Sequence, residues 1–489
     1  MNRRRWIVLI VSALFFILYA GVIIYHQQKE LPEGVAYEGE NHTVSDKDIT
    51  FLYDLTYPSG DDSEYDHSIF SEVLTMIDEA ESFIILDMFM FNETSDEDQD
   101  YPAISGELSD ALLKKHEENP DMDIVVITDP INTTYFSHPA KHIDPLEKAG
   151  IEVVYTDLER LRDPTPLVTG AWRIFAQWFG QEGFGWLPNP FGPSSPDATL
   201  RSYLKMANIK ANHRKALITD HGGLYMSWNA HDASGFHSNI ALRAGGDVLR
   251  DMIESEKAVA AFSDGDLKAF PDEETIDIAI ETYHQNNDAN DNEHQATVQV
   301  ITERQIETAF LEAVDEAEEG DEIWIGMFYL ADRNIINGLV DASERGVYIN
   351  IILDPNQNAF GQEKIGLPNV PVSEELMDQE NMNVRWYNTQ EEQYHSKISY
   401  IRYKENSTVI AGSTNYTSRN LNNYNLENNL RVDASNEAEV IQDVDQYFQR
   451  IWRNDDAEYT LDYDAYHGAL TRPMYFIYIL QQLVRFTTY

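Results

Sequence analysis

The 489-residue chain has no cysteine, so disulfides, thiolate metal sites and cysteine nucleophiles are all excluded. It is also poor in positive charge: 35 Lys and Arg stand against 84 Asp and Glu, a formal net charge of −49. A general nucleic-acid binder presents a basic face to phosphates, so this balance argues against that class. It fits instead an acidic, salt-adapted surface, whose self-repulsion is screened at about 1 M salt, where the Debye length is about 3 Å. The chain is not poor in core-forming residues. With 43% hydrophobic and 11% aromatic residues it can fill two to four domains, or one large two-lobed unit. The scattered acids show no calcium-loop spacing.

Met1-Asn2-Arg3-Arg4-Arg5 precedes an uncharged apolar run from Trp6 to Tyr25. About 20 such residues cross a bilayer as one helix. The positive-inside rule puts the N-terminus in the cytoplasm and the rest of the chain outside, as a single-pass protein of the cell membrane. A cleaved signal peptide is the rival reading. The run is long for one, and no small-x-small site follows.

One pattern then occurs twice. Its first copy has a helix over Ser71–Ser82, the apolar strand Phe83–Phe91, a helix near Gly106–Glu118, a strand ending Thr128-Asp129-Pro130, and a short strand Ile151–Tyr155. The second has a helix near Glu303–Glu318, the strand Glu322–Tyr329, a helix over Asn334–Glu344, a strand ending Leu353-Asp354-Pro355, and a short strand Val384–Tyr387. Strands alternating with helices predict an α/β fold. The expected layout is a cytoplasmic stub and anchor (1–30), a linker (31–64), a first lobe (65–282), an Asn/Asp-rich linker (283–297), a second lobe (298–460) and a C-terminal segment (461–489).

Each copy then reaches a His-x-Lys pair. The first is His213-Arg214-Lys215, followed by Asp220 and Ser227-Trp228-Asn229. The second is His395-Ser396-Lys397, followed by Gly412-Ser413-Thr414-Asn415. On a strand, His and Lys two apart share a face. Together they form a phosphate-processing set. Lysines neutralise phosphate oxygens, Ser and Asn donate hydrogen bonds to a developing oxyanion, one His attacks phosphorus and another protonates the leaving oxygen. A single His-x-Lys says little, but its repetition within a repeated unit is specific.

These residues resemble the phospholipase D superfamily, whose members carry two His-x-Lys-x4-Asp motifs with trailing Gly-Ser/Gly-x-Asn. The resemblance covers roughly 65–460. It implies two α-β-α lobes packed pseudo-symmetrically around one active site, a phosphohistidine intermediate, a second His as general acid and then base, and no metal or cofactor. Three positions depart from the pattern: Arg402 replaces the second motif's Asp, Met226 replaces the first motif's Gly, and Asn239 stands where an acid is expected. The corresponding acid of the second copy is Glu427. The family's acids pair with the histidine of the opposite motif. Glu427 is therefore expected to orient His213 as the nucleophile, leaving His395 as the general acid. The expected site comprises His213, Lys215, His395, Lys397 and Glu427 as catalytic residues. Ser227, Asn229, Ser413 and Asn415 bind substrate, and Asp220 and Asn239 support.

Eight residues separate Tyr387 from His395, but 58 separate Tyr155 from His213. The excess is an aromatic insertion (157–205) holding Trp172, Phe175, Trp178, Phe179, Phe184, Trp186 and Phe191. It is either a membrane contact at the pocket mouth or a small core of its own. The apolar stretch Met474–Phe486 is either a second membrane contact or a docked terminal helix. The functional expectation is a membrane-anchored phosphodiesterase or phosphatidyltransferase with phospholipid as substrate and no nucleic-acid partner. Its alternatives are a nuclease of the same superfamily and a catalytically degenerate scaffold.

Overall fold

The computed structural model describes residues 3–60, 62–94, 101–179, 185–191, 195–286, 295–359, 362–468, 471–484 and 487. Two large mixed sheets organise them. The first runs, edge to edge, Asp62–Asp66, Ile49–Ser59, Asn239–Ala244, Gly222–Met226, Lys215–Thr219, Phe83–Met88, Asp123–Thr128 and Glu152–Tyr155. The second runs His42–Ser45, Gln295–Thr302, Asn428–Ser435, Asn406–Gly412, Lys397–Arg402, Glu322–Met327, Tyr348–Leu353, Met382–Tyr387 and Thr460–Asp462. From Ile49–Ser59 and Gln295–Thr302 onward the two orders correspond strand for strand, so the duplicated α/β architecture expected from the sequence is present. Helices cover the sheet faces. This is why the central strands are apolar throughout: every residue of Phe83–Met88 is buried, with neighbours on both edges and both faces. Burying a large apolar side chain contributes about 1.5–3 kcal/mol.

The register is conserved where the motifs sit. Met88 pairs with Lys215 and Met327 with Lys397, so each Met-Phe strand end lies beside its own His-x-Lys strand. The lobes share a core that takes in Phe51, Tyr225 and Leu242 from one and Tyr394, Tyr400 and Tyr447 from the other. Polar contacts cross the same boundary: the Tyr387 hydroxyl donates to the Thr56 carbonyl (2.8 Å), and the Ser238 hydroxyl lies 3.1 Å from the Tyr387 hydroxyl.

Several expected boundaries differ. Residues 31–64, read as a linker, contain His42–Ser45 on the edge of the second sheet and Ile49–Ser59 in the first. Burial of Ile49, Phe51 and Leu55 against the shared core holds this segment in place, a tertiary effect with no local pattern. Of 283–297, Tyr283–Asn286 closes the helix Glu273–Asn286 and Gln295 opens a strand, while 287–294 lies outside the described residues. Thr460–Asp462 carries the second sheet past the expected end at 460. The C-terminal helix Thr471–Val484 docks through Tyr478, which is buried against the second core, yet it exposes Phe476 and Leu483.

Candidate active site

Both histidines are placed by contacts to the opposite lobe. Asn212 forms a parallel bridge to Leu426, and Tyr394 forms one to Ser238. The His213 N–H donates to the Leu426 carbonyl (2.9 Å), and the His395 N–H donates to the Ser238 carbonyl (2.8 Å). Within each lobe the matching strand-end aspartate grips the residue before the histidine. Asp129 Oδ2 accepts the Asn212 N–H and Asp354 Oδ2 accepts the Tyr394 N–H, both at 2.7 Å. The other oxygen of each caps the following turn, from Ile131 and Asn356 respectively. Burial pushes both carboxyls up to about 7. The repeated Thr-Asp-Pro and Leu-Asp-Pro were visible in the sequence. Their role as clamps on the motif backbones was not.

The side chains follow the same pseudo-symmetry. The Phe89 ring packs against His213 and the Phe328 ring against His395, with centroids 4.9 and 5.1 Å apart. The Lys215 and Lys397 ammonium groups lie 5.0 and 5.3 Å from the same two ring centroids. Each also donates to the carbonyl of its own motif's histidine at 2.6 Å. The symmetry breaks at the Nδ1 partners. His213 Nδ1 lies 2.9 Å from Glu427 Oε2, whereas His395 Nδ1 lies 3.2 Å from Asn239 Oδ1. With Nδ1 turned to an acceptor, the proton of each neutral ring sits there and Nε2 keeps its lone pair.

Ser227 and Ser413, expected to meet substrate, are engaged within the protein. Ser413 Oγ donates to Glu427 Oε2 (2.5 Å) and accepts the Asn428 N–H (3.0 Å). Ser227 Oγ donates to Asn239 Oδ1 (3.1 Å) and accepts the Ile240 N–H (2.9 Å). They orient the Nδ1 partners of the two histidines. Asn229 and Asn415 each accept a backbone N–H, from Met90 (3.4 Å) and Tyr329 (3.2 Å), which leaves each amide NH2 as the donor end. Asp220 stands apart. It accepts the Glu81 N–H at 3.1 Å from the far end of the Lys215–Thr219 strand, about 17 Å of strand rise beyond Lys215. Arg402, at the matching end of Lys397–Arg402, pairs with Asp445 at 3.2 Å on a half-exposed surface.

Two further groups belong to the site. Asn420 donates to Glu427 Oε1, and nothing in the sequence marked it. His237 stands two residues before Asn239, with its ring centroid 6.0 Å from His395. Its Nδ1 accepts the Gln393 N–H (3.2 Å), and burial, aided by His231 and Lys397, lowers it to about 3.

The electrostatics follow from desolvation. Burial holds His213 well below the usual imidazole range, with Lys215 and then Lys397 adding to the effect. Burial does the same to His395, followed by Lys397, His237 and Lys215. Each motif's lysine therefore acts on the other motif's histidine, and the two half-sites form one centre. Lys215 falls to about 7 through burial, against the pull of Glu427. Lys397 is also lowered, by burial and then by Lys215. Burial raises Glu427 to about 8 despite Lys215, Ser413 and Asn420. Desolvation thus favours the neutral forms of the two histidines and two lysines, a balance that an anionic ligand reverses.

Residues 310–452 match the family model described as "Cardiolipin synthase, PLD-like domain". No curated protein sequence matches the chain. Among solved structures, the phosphatidylserine synthase of Haemophilus influenzae Rd KW20 is 11% identical, with 95% of this chain and 98% of that one aligned and a TM-score of 0.54. At that identity the likeness is one of fold. The phospholipase D family member Nuc from Salmonella typhimurium is 20% identical over 34% of this chain and 97% of its own, with a TM-score of 0.26.

Proposed function

We propose that the chain is a member of the phospholipase D superfamily, and that it is a membrane-anchored phosphodiesterase or phosphatidyltransferase acting on phospholipid head groups, a reading supported by the PLD-like domain match over residues 310–452 and by the shared fold. The observation that carries this reading is the single buried centre in which His213, Lys215, His395 and Lys397 converge from two lobes, with Glu427 on His213. The apolar helix Arg3–Gln28, long and apolar enough to cross a membrane, supports the anchor.

In this reading the phosphodiester anion lies between Lys215 and Lys397, with the Asn229 and Asn415 amides donating to its oxygens. His213 Nε2 attacks phosphorus. The positive charge that the phosphorylated ring acquires is offset by Glu427 at Nδ1. His395, held through Nδ1 by neutral Asn239, protonates the leaving alcohol. It then takes a proton from the water or alcohol that opens the phosphohistidine. Hydrolysis and transfer differ only in that second nucleophile. Ser227, Ser413 and Asn420 act as positioning residues.

The test supplies the full chain, in high salt, with phosphatidylglycerol, phosphatidylcholine or single-stranded DNA, and quenches single turnovers to locate the phosphoenzyme. Lipid turnover with label on His213 is expected. DNA cleavage without lipid turnover favours the nuclease reading, label on His395 reverses the assignment, and inactivity on all three substrates favours a scaffold.

A further inference from the structure

The aromatic insertion splits into two parts. Trp172 is buried, but Leu167, Phe175, Trp178, Phe179 and Trp186 are 58–74% exposed, and Phe184 lies outside the described residues. A private core does not account for such side chains, and a patch of this kind marks a docking surface. The patch is continuous with the N-terminal helix. The Phe15 and Phe175 rings stack 6.2 Å apart, and the Tyr19 hydroxyl donates to the Leu167 carbonyl (2.6 Å). The Tyr19 ring sits so close to Gly170 that a Cβ there would overlap it.

The contacts sort by chemistry along that helix. Up to Tyr25 they run through the Phe15 and Tyr19 rings and the Tyr19 hydroxyl. Beyond Tyr25 they are polar: Asp163 N–H to the His26 carbonyl (3.0 Å), Arg162 Nε to the Lys29 carbonyl (2.8 Å), and Lys29 Nζ to the Glu159 carbonyl (2.7 Å). The change falls where the apolar run ends. At 1.5 Å per residue, Tyr19 lies about 9 Å and Phe15 about 15 Å inside that end, against a leaflet of about 15 Å. Whatever packs on Phe15 and Tyr19 therefore shares their depth. Within Pro166–Ala171 and Trp172–Ala176 the single charge, Arg173, reaches back to Asp163 with two 2.8 Å contacts and is hidden from solvent.

We infer that the segment from Pro166 to Phe179 is embedded in the outer leaflet of the bilayer alongside the anchor, as a monotopic membrane element. This rests on the reading that Arg3–Gln28 spans the membrane. The insertion ends at residue 205, eight positions before His213, so embedding it holds the site at the lipid surface, where a head group is presented without leaving its membrane.

The absence of cysteine makes the experiment direct. Single-cysteine variants Leu14→Cys, Leu167→Cys, Trp178→Cys, Phe179→Cys and Ile278→Cys of the full chain are labelled with a bimane. They are then reconstituted in phosphatidylcholine–phosphatidylglycerol vesicles with or without brominated acyl chains. Leu14 reports the anchor, and exposed Ile278 reports solvent. The expected result is about twofold quenching at 14, 167, 178 and 179 and none at 278. Quenching at 14 alone overturns the inference while the anchor stands. Quenching at none of them overturns both. Protection of 167, 178 and 179 from an impermeant maleimide without bromine quenching also overturns it, assigning the patch to a protein partner or a second copy.

Discussion

His213 Nδ1 and Glu427 Oε2 lie 2.9 Å apart, although 214 residues of chain separate them. Glu427 also accepts from Ser413 and Asn420, so its orientation does not depend on the histidine. Its counterpart across the pseudo-dyad is a neutral amide, Asn239. Unequal partners on otherwise matched histidines are the structural basis for giving them different roles.

Glu427→Gln keeps the shape and the Ser413 contact but removes the charge that offsets a phosphorylated His213. The expected loss in kcat is about 10²–10⁴-fold, the range for removing a histidine's carboxylate partner. Rapid-quench kinetics should place the loss in phosphoenzyme formation.

Asn239→Asp puts a carboxylate on His395 Nδ1. An opposite charge in contact favours the protonated ring, so its pKa should rise by about one to three units. Because the general acid acts in its protonated form, the alkaline limb of the kcat–pH profile should move upward. The pH dependence of kcat in the two proteins checks this; a profile that does not move gives His395 another role.

Anion binding should take up protons. Lys215 is lowered to about 7, and His395 and Lys397 are lowered too. A phosphodiester or tungstate anion favours their charged forms and raises them. Between pH 7 and 8 calorimetry in buffers of different ionisation enthalpy should therefore show net proton uptake, and proton release would contradict the lowered lysine and histidine values.

Asp54, on the strand beside Asn239 and turned to the start of a helix, shows the stability cost of a buried acid. It accepts the Ser68 and Ile69 N–H groups at the start of the helix Ile69–Glu79, and burial raises it to about 7. A raised carboxyl binds its proton more tightly folded than unfolded. Its cost is thus fully present above pH 7 and fades as pH falls toward the ordinary value near 3.8. Asp54→Asn keeps the acceptor and should stabilise the fold by up to about 4 kcal/mol at pH 8, with the gain vanishing near pH 4. Denaturation at the two pH values reads it out.

Arg402→Asp, which restores the motif's acidic residue, should change neither property. The exposed pair with Asp445 is worth less than about 1 kcal/mol, and the position sits at the far end of its strand from His395. Activity within about twofold of the parent is expected, because the lost interaction is a screened surface pair.

The sequence by itself determined the duplicated α/β plan, both His-x-Lys faces and the Glu427 partner, because each is written in a local period or a fixed spacing. Strand alternation puts His and Lys on one face, and a repeated unit reports itself. Tertiary structure alone decided what those residues touch. Ser227 and Ser413 turned from substrate toward Asn239 and Glu427, because a buried hydroxyl beside a buried acceptor and a backbone N–H satisfies both. Asp129 and Asp354 became clamps, and His237 and Asn420 joined the centre, through contacts that no spacing encodes. The strand Ile49–Ser59 was hidden in an apparent linker, since it is held by Asn239–Ala244 and by the shared core, partners far away in the chain. The insertion shows the division most plainly. Its aromatics are countable in the sequence, but which are buried and which are left bare beside Phe15 and Tyr19 is settled only by packing.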